Sequence, residues 1–174
     1  MKKSIQLILL LPLLILSACQ SNEDPVSVAK ESPIFVEQTD ELHYVLIKVK
    51  SMPIENVEGV QSAADSELTK LREKVNSIIK EDSEAKLRAS FIFFEKDEKT
   101  KDPILVVRRF NNLTSANNYR KILEEKTIGE SEIESIMPIA QANYRKVLKE
   151  KSLSSYQSYF QKQLSGLIEL DSTK

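Results

Sequence analysis

One cysteine stands among the 174 residues, at position 19, and its thiolate is the strongest nucleophile the chain offers. A lone cysteine closes no internal disulfide. With His43 the only histidine, the usual zinc sets of several Cys and His ligands cannot be assembled either. There is no Gly-x-Ser-x-Gly elbow and no Gly-x-x-x-x-Gly-Lys loop. The three glycines, at 59, 129 and 166, are too few for a phosphate cradle or for an all-β fold of tight turns. Two acidic clusters, Glu95, Asp97, Glu98 and Asp102, then Glu130, Glu132 and Glu134, are interleaved with lysine or sit beside turns. They lack EF-hand spacing and have the character of solvated surface. His43, inside an apolar run, reads as a packed, hydrogen-bonded residue rather than a proton shuttle. Arg108 and Arg109 close a strand beside Phe110 and Asn111, where an arginine either covers apolar surface with its stem or meets an anionic or sugar ligand. Strand alternation would turn the two to opposite faces. Tyr156, Tyr159 and Phe160, with Leu164 and Leu167, fall at helical spacing and serve as core or as a docking stripe. These residues give no nucleophile with its base, no metal set and no cofactor site, so the expected activity is non-catalytic binding.

Around Cys19 the residue types change character. Lys2 and Lys3 precede an apolar run from Ile5 to Leu16, and small residues lie just before the cysteine, the three zones of a secretion signal over residues 1–18. The run is shorter than the roughly 20 residues a membrane-spanning helix needs. Leu16-Ser17-Ala18-Cys19 resembles the lipobox of bacterial lipoproteins. That resemblance implies cleavage between Ala18 and Cys19, lipid on Cys19, and a membrane anchor. Several acyl chains, at about 0.8 kcal/mol per buried methylene, would make the anchor effectively permanent. Gln20 occupies the place where an Asp would resemble an inner-membrane retention signal, so the expected location is the cell envelope, on the outer membrane facing the periplasm. Loss of Lys2 and Lys3 takes 25 basic residues to 23 against 26 acidic ones, a balance of −3 too mild to suggest nucleic acid as a partner.

Residues 19–40 show neither helical nor strand periodicity and read as a tether, with Pro25 and Pro33 among polar residues. About 20 flexible residues reach roughly 25 Å. Ile34, Phe35 and Val36 are apolar enough to dock on the domain. Residues 41–170 suffice for one such domain, with 171–174 as a tail. Leu42 to Val49 reads as a strand and Met52 to Gln61 as a loop. Leu68, Leu71, Val75, Ile78 and Ile79 form a helical stripe, with Ser62 and Asp65 near its start as caps. Phe91–Phe94 and Ile104–Phe110 read as a hairpin across the charged turn Glu95 to Asp102, with Pro103 punctuating its exit. Asn112 or Thr114 starts a helix whose Ala116, Tyr119, Ile122 and Leu123 share a face, and Gly129 lies beyond its end. Ile133–Ile139 is a further strand. Two helical patterns come after it, one with Tyr144, Val147 and Leu148, the other with Tyr156 onward.

The order predicts an α+β domain, a ferredoxin-like βαββαβ antiparallel sheet with helices on one face and an additional C-terminal helical segment. Its strands are apolar on both sides, so something must cover the second face: the helix from Ser154 or another protein. Val106 to Tyr119, through Val107, Phe110 and Ala116, resembles the strand-to-helix passage of SPOR domains, which implies peptidoglycan binding. His43-Tyr44, Phe110, Ala116 with Tyr119, Asn143-Tyr144 and Tyr156-x-x-Tyr159-Phe160 together resemble the C-terminal domain of tetratricopeptide-repeat lipoproteins of Bacteroidota. Some of those are linked to gliding motility and type IX secretion. This likeness spans about Leu42 to Leu164 and implies a scaffolding module with an envelope protein as partner; the repeat array of those proteins is missing here. Arg108, Arg109, Tyr156, Tyr159 and Phe160 are the candidate contacts.

Overall fold

The strand His43–Val49 (β1) carries β-branched and aromatic residues on both of its faces, and all but one of its seven residues are buried. It runs antiparallel to the long strand Thr100–Phe110 (β4), with Val45 opposite Val107 and Ile47 opposite Leu105. Ile133–Ala140 (β5) pairs with the other edge of β1, and Arg88–Glu95 (β3) with the other edge of β4, both antiparallel. Met52–Pro53 (β2) continues along β4 beyond β1, pairing with Lys101 and Thr100. The computed structural model describes residues 34–53, 60–81 and 86–171. The signal, Ala18, Cys19 and the tether up to residue 33 lie outside the described residues, as does the 171–174 tail apart from Asp171.

Both faces of this sheet are covered. On the first, Val45, Ile47, Leu105 and Val107 pack with Leu68, Leu71 and Val75 of the helix Val60–Glu81 (α1). Ala116, Tyr119 and Leu123 of the helix Leu113–Lys126 (α2) complete that core. On the second face, Tyr44, Leu46, Ile104, Val106, Met137 and Ile139 meet Tyr144 and Val147 of the helix Gln141–Glu150 (α3). Leu153 and Tyr156, at the start of the helix Ser154–Asp171 (α4), finish the cover. Each fully buried Leu, Ile or Val contributes roughly 1.5–3 kcal/mol, so neither face can be left to water. The described residues are thus α+β, an antiparallel sheet with four helices. Among the described residues no helix is long and apolar enough to cross a membrane.

Local chemistry sets the ends of the elements. Asn112 caps α2, its Oδ1 accepting from Ser115 N–H at 2.8 Å. Thr127 closes it, N–H and hydroxyl both donating to the Leu123 carbonyl at 2.9 and 2.6 Å, and Gly129 lies just beyond at φ +90°. The β3–β4 turn is shorter than the charge pattern suggests. Asp97 Oδ1 accepts the Lys99 and Thr100 N–H groups at 2.8 Å, and β4 begins at Thr100.

Several expectations are corrected. The helix α1 begins at Val60, so Ser62 and Asp65 lie within it instead of capping it; the Ala-containing run up to Asp65 favours helix as strongly as the stripe beyond it. Met52 and Pro53 pair with β4 where the sequence predicts a loop. Pro103 lies inside β4, tolerated because its missing N–H faces the gap between the end of β1 and the start of β2. Ile122 and Leu148 are exposed, each one position off its helix's buried face. The register shift between His43 and Tyr44 makes Arg109 the extra residue of a bulge, so Val107 and Phe110 both join the first core.

Candidate functional site

The segment 34–38, ahead of β1, lies against α3 and α4. Asn143, buried on α3, treats Val36 as a strand would: its Nδ2 donates to the Val36 carbonyl at 2.7 Å and its Oδ1 accepts the Val36 N–H at 3.4 Å. Lys146 Nζ donates to the Ile34 carbonyl. Phe35 meets Tyr156 edge-on at 5.1 Å and Tyr159 at 5.7 Å between ring centroids. The expected docking of Ile34 to Val36 therefore runs through Phe35 and the backbone, since the Ile34 and Val36 side chains are exposed.

Between this segment, α2 and α4 lies a cleft of about 320 Å³. Its floor includes His43 and, from the outer strand, Pro138 and Ala140. One wall is Asn117 and Arg120 of α2. The other is Tyr156, Tyr159 and Phe160 of α4, with Val36 to Gln38 forming a third side. His43 is 1% exposed, its Nδ1 donating to the Glu41 carbonyl at 2.7 Å, which makes it a packed part of the floor. Arg120 pairs with Glu124 one turn on, and its Nε and the Gln38 Oε1 are buried without hydrogen-bond partners. The lining thus combines aromatic faces, amides and a guanidinium held by Glu124, groups with the chemistry to contact a polar, partly apolar molecule.

Tyr156 is the residue on which the site turns. It is 4% exposed and donates its hydroxyl to the Pro138 carbonyl at 2.6 Å, so burial pushes its pKa well above the ordinary value. Tyr159, half-buried at the cleft, is raised by burial and then by Glu37. The structure thus brings Tyr156, Tyr159 and Phe160 together.

Arg108 and Arg109 stand elsewhere, on β4. Arg109 is exposed, while Arg108 is half-buried on the second face, its Nη2 donating to Ser90 Oγ at 3.2 Å. Burial raises the Tyr144 pKa, and Arg108 opposes that rise. Among the described residues neither arginine has an ion pair. Four residues of the acidic clusters have structural partners: Asp97 pins a turn, Asp102 accepts from Ser51, and Glu130 and Glu134 pair with Lys74 and Lys48. Sequence reasoning missed Asn143 and Arg120 as site residues. Asn143 carried one signal, an amide at a helix position spaced to be buried.

Asn143→Ala should lower stability by about 1–3 kcal/mol, the cost of stranding buried polar groups, and speed exchange of the Val36 amide; unchanged exchange there would mean the segment is held by Phe35 alone. For Tyr156, a raised pKa means the folded chain holds the hydroxyl proton more tightly than the unfolded chain. The associated stability is complete below pH 10.0, the ordinary value, and lost as pH climbs above it. Tyr156→Phe should cost about 0.5–1.5 kcal/mol near neutrality and flatten the alkaline loss in denaturant titrations, leaving a residual slope from Tyr144 and Tyr159.

Comparison with protein-family models, with curated proteins and with solved structures gives no match for this chain.

Proposed function

We propose that the chain is a lipid-anchored, non-catalytic cell-envelope protein whose domain binds other proteins. The observation that carries this reading is the aromatic cleft itself, walled by Tyr156, Tyr159 and Phe160 and closed on a third side by Val36 to Gln38, which Asn143 holds. Leu16 to Cys19 supplies the lipobox-like site and Gln20 the outer-membrane assignment. A tie to gliding motility or type IX secretion rests on the spaced aromatics, Tyr144, Tyr156, Tyr159 and Phe160 among them, three of which line or border the cleft. A ferredoxin-like topology is supported by the strand order β3-β4-β1-β5, obtained when β2 is taken as a continuation of β1's line along β4.

Peptidoglycan is the second reading, favoured by the amides of Asn117, Asn143 and Gln163 beside Tyr159 and Phe160, groups suited to sugars. It ranks second because the sheet face a SPOR-like groove would use carries α3 and α4, with Tyr44, Leu46, Ile104 and Val106 buried.

Cys19→Ala should leave the melting temperature unchanged and move the protein from the membrane to the soluble fraction. Retention of that variant in membranes after a high-salt wash would sink the lipid assignment. The full chain should stay in the supernatant when insoluble peptidoglycan is spun down; saturable sedimentation with the glycan would replace the protein-binding reading.

A further inference from the structure

The two edges of the sheet are finished differently, and two prolines reveal how. Pro103 of β4 stands opposite Phe93, and Pro138 of β5 stands opposite Val45. A proline has no N–H to exchange, so each belongs to a non-hydrogen-bonded pair, and the alternation of an antiparallel ladder then fixes every other position. Both prolines give the same phase. On β5 the outward residues are Ile136 and Pro138, and at Pro138 the edge is blocked: the proline offers no donor, and its carbonyl is taken by Tyr156 at 2.6 Å.

On β3 the outward N–H and C=O groups belong to Ala89, Phe91, Phe93 and Glu95. Within the described residues β3 pairs with β4 alone, and no backbone group outside the sheet bonds to Ala89, Phe91 or Phe93. The strand contains no proline, and its middle reads Phe91-Ile92-Phe93-Phe94, with Phe93 48% exposed. A long apolar edge left in this state is a template for another strand.

Charge says what kind of strand. Arg88 stands directly opposite Arg108 on one face, a like-charged pair that costs stability unless something neutralises it. Neither has a carboxylate within ion-pair distance among the described residues, and the Arg108 Nε is buried without a hydrogen-bond partner. A second copy does not supply the missing carboxylate. Residues facing each other across a two-fold antiparallel edge share a sheet face, so the two registers that pair the length of β3 set Phe94 or Lys96 opposite Arg88, never Glu95.

We propose that the outer edge of β3 takes up an extended, apolar segment of a partner protein as an added strand, with an acidic side chain of that segment set against Arg88 and Arg108. This adds a second surface, apart from the aromatic cleft, and rests on the protein-binding reading. Main-chain bonds to Ala89, Phe91 and Phe93 supply the pairing, apolar side chains cover Phe91 and Phe93, and the carboxylate sets the register.

The test uses the full chain and a blocked peptide of about eight residues, a strand's length, alternating threonine and valine with glutamate at both ends. A twin peptide carries lysine at both ends. The glutamate peptide should slow amide exchange at Ala89, Phe91 and Phe93 while leaving Ile136 unchanged. The lysine twin should bind about tenfold more weakly, the order of one charge-assisted contact. Arg88→Glu, an exposed change that leaves the strand intact, should abolish that preference, because the new carboxylate pairs with Arg108 across the strands. Absence of protection at saturating peptide, or equal binding of the twins, overturns the proposal. Protection of the same amides by concentration-dependent dimerisation without peptide also overturns it, in favour of a second copy. If the peptides fail while a photocrosslinker at Tyr159 still captures a specific envelope protein from anchored chain in cells, the edge falls and the protein-binding reading stands.

Discussion

The antiparallel contact between β1 and β4 is the constraint on which the rest of the architecture depends. Val45, Ile47, Leu105 and Val107 point to one side of it and Tyr44, Leu46, Ile104 and Val106 to the other, and all eight are buried. A sheet with a wet face needs only one layer of helices; this one needs two. α1 and α2 form the first layer. The chain beyond β5 then turns back as α3 and α4 to supply the second, and even so the second core draws on Phe35 from ahead of β1. The C-terminal helices are therefore part of the fold's own closure, and Tyr156, whose aromatic type suited it to an interface, is held by the core instead.

The same constraint explains where polar groups are placed. Lys48, on the second face at the end of β1, is kept by Glu134 at 2.7 Å and reaches Gln157 of α4. Tyr44 turns its hydroxyl to Gln141 at 3.1 Å while its ring meets Tyr144 edge-on at 4.9 Å. Each of these polar atoms, brought under the helices, finds a neighbour. Arg108 departs from that pattern: its guanidinium is satisfied at Nη2 by Ser90 and unsatisfied at Nε, directly across from Arg88. A like-charged pair set side by side goes against the sheet's own pairing rules.

The strands and helices were legible in the sequence because their periods are strong. β1 is apolar on both faces, and that alone called for a second layer; Asn112 as a cap and Gly129 beyond α2 came from side-chain and backbone chemistry. The features that were not legible depend on contacts between distant segments. The bulge at Arg109 is a matter of register between β1 and β4, which no local pattern encodes. Pro103 read as a strand boundary because sequence shows the missing N–H but not the gap between β1 and β2 that makes its loss harmless. The cleft was half legible: Tyr156, Tyr159 and Phe160 share a helical stripe, whereas Asn143 joins them only because its amide imitates a peptide group for Val36, 107 residues away.

Tyr156 couples the entry of the chain to the closure of the sheet. Its hydroxyl closes the β5 edge at Pro138, and its ring holds Phe35, the first aromatic residue of the described chain. Chain entry and edge closure thus occur on the same side of the sheet, by one side chain. The open edge, β3, is three inter-strand spacings away, roughly 14 Å at about 4.8 Å each. The segment 34–38 thus enters beside the β5 edge, and the open edge of β3 lies on the far side of the sheet. A strand added at β5 would have to displace Tyr156, and with it the hold on Phe35. A strand added at β3 would need no such rearrangement, because no side chain from outside the sheet closes that edge among the described residues.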